Sequence, residues 1–114
     1  MRMSARVVTR LVGFFLAMSA LVLAQTATTS LRGTVYDAKG AVVAGASVTI
    51  NDPATGFSRT TKSDGQGNYQ FLELPPAKYD LTVDARGFVT MKQRGVELQV
   101  ASPATLNINM QVTG

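Results

Sequence analysis

The residues that could do chemistry are few, and their types exclude more than they allow. The 114-residue chain has no histidine and no cysteine. Ser-His-Asp and Cys-His nucleophiles are therefore excluded, as are the usual zinc sites, which draw on those ligands. General acid–base work by a carboxylate pair would have to come from Asp37, Asp52, Asp64, Glu73, Asp80, Asp84 and Glu97. Asp80 and Asp84 fall on the solvent face of one strand, where like charges stay hydrated. The acids read as solvated surface groups, not as a catalytic pair. Asp64-Gly65-Gln66-Gly67-Asn68 places oxygen ligands at alternate positions, as at the start of a calcium loop. The match fails further on, with Tyr69 where the sharp-turn glycine belongs and Pro75 where the bidentate glutamate belongs. Gly65-x-Gly67 is too short for a phosphate cradle, and no helix follows it. No metal and no cofactor are expected.

Sugar binding through ring stacking needs an aromatic platform. The aromatics beyond the N-terminal segment are Tyr36, Phe57, Tyr69, Phe71, Tyr79 and Phe88, with no tryptophan. By register, Phe71 and Tyr79 fall in the core. Tyr36 lies on the polar face of its strand, and Phe57 and Phe88 border loops. These three are the weak candidates for ligand contact. Nothing in the sequence sets them side by side, and packing in the core and at its rim is the simpler account.

The elements that carry these residues follow a period of 2, the signature of half-buried strands. Leu31, Gly33 and Val35 share one face, and Arg32, Thr34 and Tyr36 the other. Asp37 to Gly40 is a turn. Val48 and Ile50 alternate with Ser47, Thr49 and Asn51, and Asp52 to Gly56 is a loop. Phe57 to Lys62 is Thr-rich and offers few core residues, which suits an edge strand. Ser63 to Asn68 is the sharpest turn signal. Tyr69 and Phe71 share a face of the next strand, which Leu74-Pro75-Pro76 ends. Tyr79, Leu81 and Val83 alternate with Asp80, Thr82 and Asp84. Arg86-Gly87-Phe88 turns the chain again. Val96, Leu98 and Val100 oppose Glu97 and Gln99, and Leu106, Ile108, Met110 and Val112 alternate with Asn107, Asn109 and Gln111. About seven short strands of this kind indicate an all-β antiparallel sandwich with one wet face per sheet.

The N-terminus is of another character. Arg2, Arg6 and Arg10 precede an uncharged apolar run from Leu11 to Leu23, 13 residues long, and Val22-Leu23-Ala24 then supplies a cleavage site before Gln25. A membrane span needs roughly 20 apolar residues, so this run reads as a cleavable secretory signal, expected to be helical, and no stable span is expected after cleavage. The boundaries are a signal over residues 1–24, a flexible leader over 25–30 and one domain over 31–114. Removal of the signal leaves eight basic residues against seven acidic ones, a net charge of +1 instead of +4. The eight are scattered, which argues against nucleic acid as a partner.

The ordered set of turns and strands resembles the carboxypeptidase regulatory-like domain. The resemblance is carried by Gly33-Thr34-Val35-Tyr36-Asp37, by Gly40 to Val48, by Thr61 to Phe71, and by Leu74-Pro75-Pro76-Ala77-Lys78-Tyr79 with Gly87-Phe88. It implies a transthyretin-like, seven-stranded sandwich grouped with carbohydrate-binding-like folds. In metallocarboxypeptidases this domain accompanies the catalytic domain without a catalytic residue. In bacteria it often follows a signal peptide at the N-terminus of TonB-dependent outer-membrane receptors, the setting this chain looks most like. Two departures stand out. Ala77 replaces a glycine of the family's turn, so that turn must avoid positive φ or accept strain. The chain also ends at Gly114, short of a receptor's plug and barrel, so a stand-alone copy or an N-terminal piece is expected. The sandwich is similar as well to adhesin domains with Lys–Asn isopeptide bonds, but position 83 is valine and Lys39 lies in a turn.

The resulting expectation is a non-catalytic module, exported to the periplasm or outer membrane or secreted, that binds a protein partner of the cell envelope. The alternatives are a glycan-binding module and an accessory domain of a peptidase.

Overall fold

The computed structural model describes residues 27–113, and every regular element among them is a strand. The signal segment with its expected helix, and the cleavage point between Ala24 and Gln25, lie outside the described residues.

β1 (Thr29–Asp37) buries Leu31, Gly33 and Val35 and turns Arg32, Thr34 and Tyr36 to the other side. It begins inside the segment expected to be a flexible leader. Thr29 is buried there, and its hydroxyl donates to the Ser102 carbonyl. β2 (Ser47–Asn51) buries Val48 and Ile50, whereas β3 (Ser58–Lys62) buries no residue fully. β4 (Asn68–Leu74) and β5 (Ala77–Asp84) bury Tyr69, Phe71, Leu74, Tyr79, Leu81 and Val83. β6 (Met91–Leu98) starts well before Val96, and Val100, expected on its inner face, is exposed beyond its end. β7 (Ala104–Thr105) and β8 (Ile108–Met110) complete the chain of strands.

The strands form two four-stranded sheets. One has the order β3-β2-β5-β6 and is antiparallel throughout. In the other, β4 pairs antiparallel with β1, while β7 and β8 pair with the opposite edge of β1 in parallel. This corrects the expectation of seven antiparallel strands. β7 and β8 keep one register against β1, since Leu31 faces Ala104 and Val35 faces Ile108. They are two halves of one path, broken at Leu106 and Asn107.

Gly33 explains the break. A Cβ at Gly33 would lie 1.9 Å from the Leu106 carbonyl oxygen, so only glycine admits the crossing. The Leu106 N–H still donates to the Arg32 carbonyl, at 2.8 Å. Its carbonyl turns inward over Gly33 and accepts from the buried Tyr69 hydroxyl. The next ladder bond is made by a side chain, as the Thr34 N–H donates to Asn107 Oδ1 at 3.0 Å.

Two bulges shift the period elsewhere. In β4, Leu72 and Glu73 together oppose one residue of β1, and Glu73 adopts φ +52°. In β6, Arg94 and Gly95 oppose Asp80, with Gly95 at φ +71°. Ala77 is not among the residues of positive φ, so its turn avoids that conformation.

Side chains from both sheets meet in one core. Leu31, Val35, Val48, Ile50, Leu74, Tyr79 and Val83 are completely inaccessible. Burial of a side chain such as Leu or Ile stabilises by roughly 1.5–3 kcal/mol. Arg59 of β3 ties the sheet edges together, donating from Nη1 to the Leu72 carbonyl at 2.6 Å and lying 5.2 Å over the Phe57 ring.

Candidate functional site

Five of the seven carboxylates are committed to holding backbone or neighbouring hydroxyls. Asp37 Oδ1 accepts from the N–H groups of Lys39 and Ala41, both at 2.9 Å. Asp64 Oδ1 accepts in the same way from Gln66 and Asn68, again at 2.9 Å. The two turns are copies of one device, with the glycine N–H three residues on donating back to the aspartate carbonyl in both. Asp64 thus organises the tight turn that carries the chain from β3 in one sheet to β4 in the other. Buried Asp52 accepts from the Ala54 N–H and the Thr55 hydroxyl. Asp84 accepts from the Thr90 hydroxyl, and Asp80 from the Gly95 N–H at the β6 bulge. No group of three acidic, histidine or cysteine side chains that could hold a metal occurs among the described residues. Val83 is buried in the core, and Lys39 sits exposed in its turn.

Both buried tyrosines serve structure. Burial pushes the Tyr69 hydroxyl up to about 12. Burial also raises Tyr79, the Asp52 carboxylate adds to the rise and Arg59 opposes it. The Tyr79 hydroxyl donates to the Pro75 carbonyl across the β4–β5 turn.

The three aromatic candidates stand in different places. Tyr36 is half-buried, on the outward face of β1 beside Asn109. Phe57 packs edge-on against Tyr79 with ring centres 6.1 Å apart. Phe88 packs against the core from the turn after β5, and pairs with Val112. Phe57 and Phe88 flank opposite ends of β2, because Asn51 faces Ser58 and Asp80 while Ser47 faces Asp84. No shared aromatic platform is assembled from them.

Two other features could engage a partner. The first is the outer edge of β3, which has no strand partner among the described residues. The Asp52 N–H bonds the Phe57 carbonyl and the Ser63 N–H bonds the Ala46 carbonyl, which fixes the alternation of the ladder between them. Arg59 and Thr61 accordingly face β2, and the backbone groups of Ser58, Thr60 and Lys62 point away from it. Their side chains are exposed too.

The second is an open cleft of about 560 Å3 on the outer face of the first sheet. Two rows of side chains cross it. In one, Arg32 lies between Gln70 and Thr105, and in the other Thr34 lies between Asn68 and Asn107. Lys62 and Asp64 stand at its rim. The sequence places Arg32, Thr34 and Asn107 on the polar faces of their strands but gives no means of bringing them together. The signal was the polar half of each alternating strand.

Comparison with known proteins bears on the fold. No curated protein matches the sequence. A candidate carbohydrate-binding protein from Bacteroides uniformis superposes with a TM-score of 0.61 at 15% identity, over 74% of this chain and 41% of that one. Hydroxyquinol 1,2-dioxygenase from Pseudomonas putida gives 0.63 at 11% identity, over 80% and 58%. A cohesin–X-dockerin complex from Acetivibrio cellulolyticus gives 0.61 at 16% identity, over 74% and 58%. This chain therefore spans well under two thirds of the length of each, and at such identities the likeness is one of fold alone. The sequence itself matches the family model of the carboxypeptidase regulatory-like domain over residues 30–111, nearly all of the described region. The chain belongs to the carboxypeptidase regulatory-like domain family.

Proposed function

We propose that the two sheets close as a transthyretin-like sandwich and that the domain is a non-catalytic, exported binding module of the cell envelope. Its protein partner adds a strand to β3. The observation that carries this reading is the edge of Ser58, Thr60 and Lys62, which has no strand partner among the described residues and turns its backbone donors and acceptors outward. Such an edge binds an extended segment through main-chain hydrogen bonds. A non-catalytic role is supported by the lack of histidine and cysteine and by the commitment of Asp37, Asp52 and Asp64 to turns. The placement in the envelope rests on the Arg2-to-Ala24 segment, and the receptor setting on the family resemblance.

A photo-crosslinker at Ser58, introduced in cells, tests the reading. It should trap one envelope protein, and Thr60→Pro, which removes an outward N–H and leaves the backbone ladder to β2 intact, should abolish the adduct, whereas Thr60→Val, which removes only the hydroxyl bond to Thr49, should keep it. An adduct indifferent to proline, or none, would refute strand addition. In the same cells, the exported form should begin at Gln25.

A further inference from the structure

The cleft on the first sheet shares only Lys62 with the β3 edge and has its own chemistry. β1 is paired along both sides, by β4 and by β7 and β8, so this face offers no backbone edge to a peptide. Recognition here must come from side chains. The Thr34 N–H requires an oxygen acceptor, which fixes Asn107 with Oδ1 inward and its amide NH2 free. Asn68 Oδ1 accepts from the Thr34 hydroxyl at 2.7 Å, leaving its NH2 free as well. Gln70 and the Arg32 guanidinium lie alongside on the same outward face, both exposed. The floor is therefore rich in donors, with Arg32 and Lys62 supplying positive charge.

One acceptor breaks the pattern. Asp64 holds its turn through Oδ1, and its carboxylate borders the cleft. A ligand carrying only negative charge would be repelled there. One that carries carboxylates together with hydroxyl donors satisfies both ends. Neighbouring strands are about 4.8 Å apart and outward residues of one strand roughly 6.8 Å apart, so the two three-residue rows cover an area of one or two sugar rings. We infer that this cleft is a binding site for a uronic-acid-containing saccharide, its carboxylate on Arg32 and Lys62 and its hydroxyls on the amides and Asp64.

The test is a titration of the full chain with tetragalacturonate, followed by NMR. Saturable shifts are expected at Thr34, Gln70 and the Asn107 side-chain amide. Arg32→Gln, at an exposed position, should weaken binding roughly tenfold, the value of one charge-assisted hydrogen bond. The methyl-esterified tetramer should be weakened similarly, and Thr60→Pro should bind as the wild type does. No saturable shift, or an Arg32→Gln variant that binds equally well, would overturn the site. Hexaglutamate binding as tightly as tetragalacturonate would overturn the saccharide assignment. Because Thr60→Pro spares the cleft and Arg32→Gln spares the β3 edge, failure of one proposal leaves the other standing.

Discussion

The two sheets solve the same problem by different means. The β3-β2-β5-β6 sheet is built from neighbours in sequence or near-neighbours, all antiparallel, and its one irregularity falls on a glycine, Gly95. The β4-β1-β7/β8 sheet joins the start of the domain to its end, mixes parallel with antiparallel pairing, and depends on single residues at its irregular points. A regular sheet spreads its stability over many equivalent contacts. An irregular one concentrates it, and should be far more sensitive to single substitutions.

The largest effect is expected at Gly33. Gly33→Ala drives a methyl group into the Leu106 backbone, which cannot yield as a flexible side chain would. We expect a loss of about 3 kcal/mol in urea unfolding, the upper range of overpacking, and a loss near zero would show that the β7–β8 path can move aside.

Tyr69→Phe comes next. It strands the inward Leu106 carbonyl and should cost about 2 kcal/mol. It also changes the alkaline limb. The folded state holds the Tyr69 hydroxyl near 12 against an ordinary value of 10, so its stabilising contribution is whole below pH 10 and disappears as the pH rises toward 12. Wild type should lose stability across that window in pH-dependent unfolding, and Tyr69→Phe should lose less.

The smallest effects sharpen the comparison at the two bulges. Glu73 occupies a left-handed conformation that glycine adopts without strain, so Glu73→Gly should stabilise by roughly 0.5–1 kcal/mol. Gly95→Ala on the other sheet should destabilise by about 1 kcal/mol. Opposite signs in thermal melts would confirm that the first sheet carries strain the second avoids.

The same contrast decides what the sequence could reveal. Val48 and Ile50, Tyr69 and Phe71, and Tyr79, Leu81 and Val83 were legible as core because each lies in an uninterrupted period of 2. The Asp37 and Asp64 turns, and the Thr-rich β3 at a sheet edge, were legible from local chemistry. The β4 bulge was not, because Leu72 and Glu73 carry no bulge signature. The early start of β6 was hidden by Lys92, Gln93 and Arg94, an exposed polar run on an outer strand. Parallel pairing of the last strand leaves no mark on alternation, since either direction buries Ile108 and Met110 alike. The cleft was missed for a related reason. Its polar residues are ordinary outward positions taken one strand at a time, and only the pairing of β1 with distant segments makes them a surface.

That pairing also sets an order of events. Thr34 and Asn107 are separated by 73 positions, and β1 has no partner on that side until the last strand exists. A chain that emerges N-terminus first must wait for nearly the whole domain before the first sheet can close. Long-range closure of this kind slows folding. The delay makes closure of the first sheet the last event in the folding of the domain, after the local turns and the second sheet are in place.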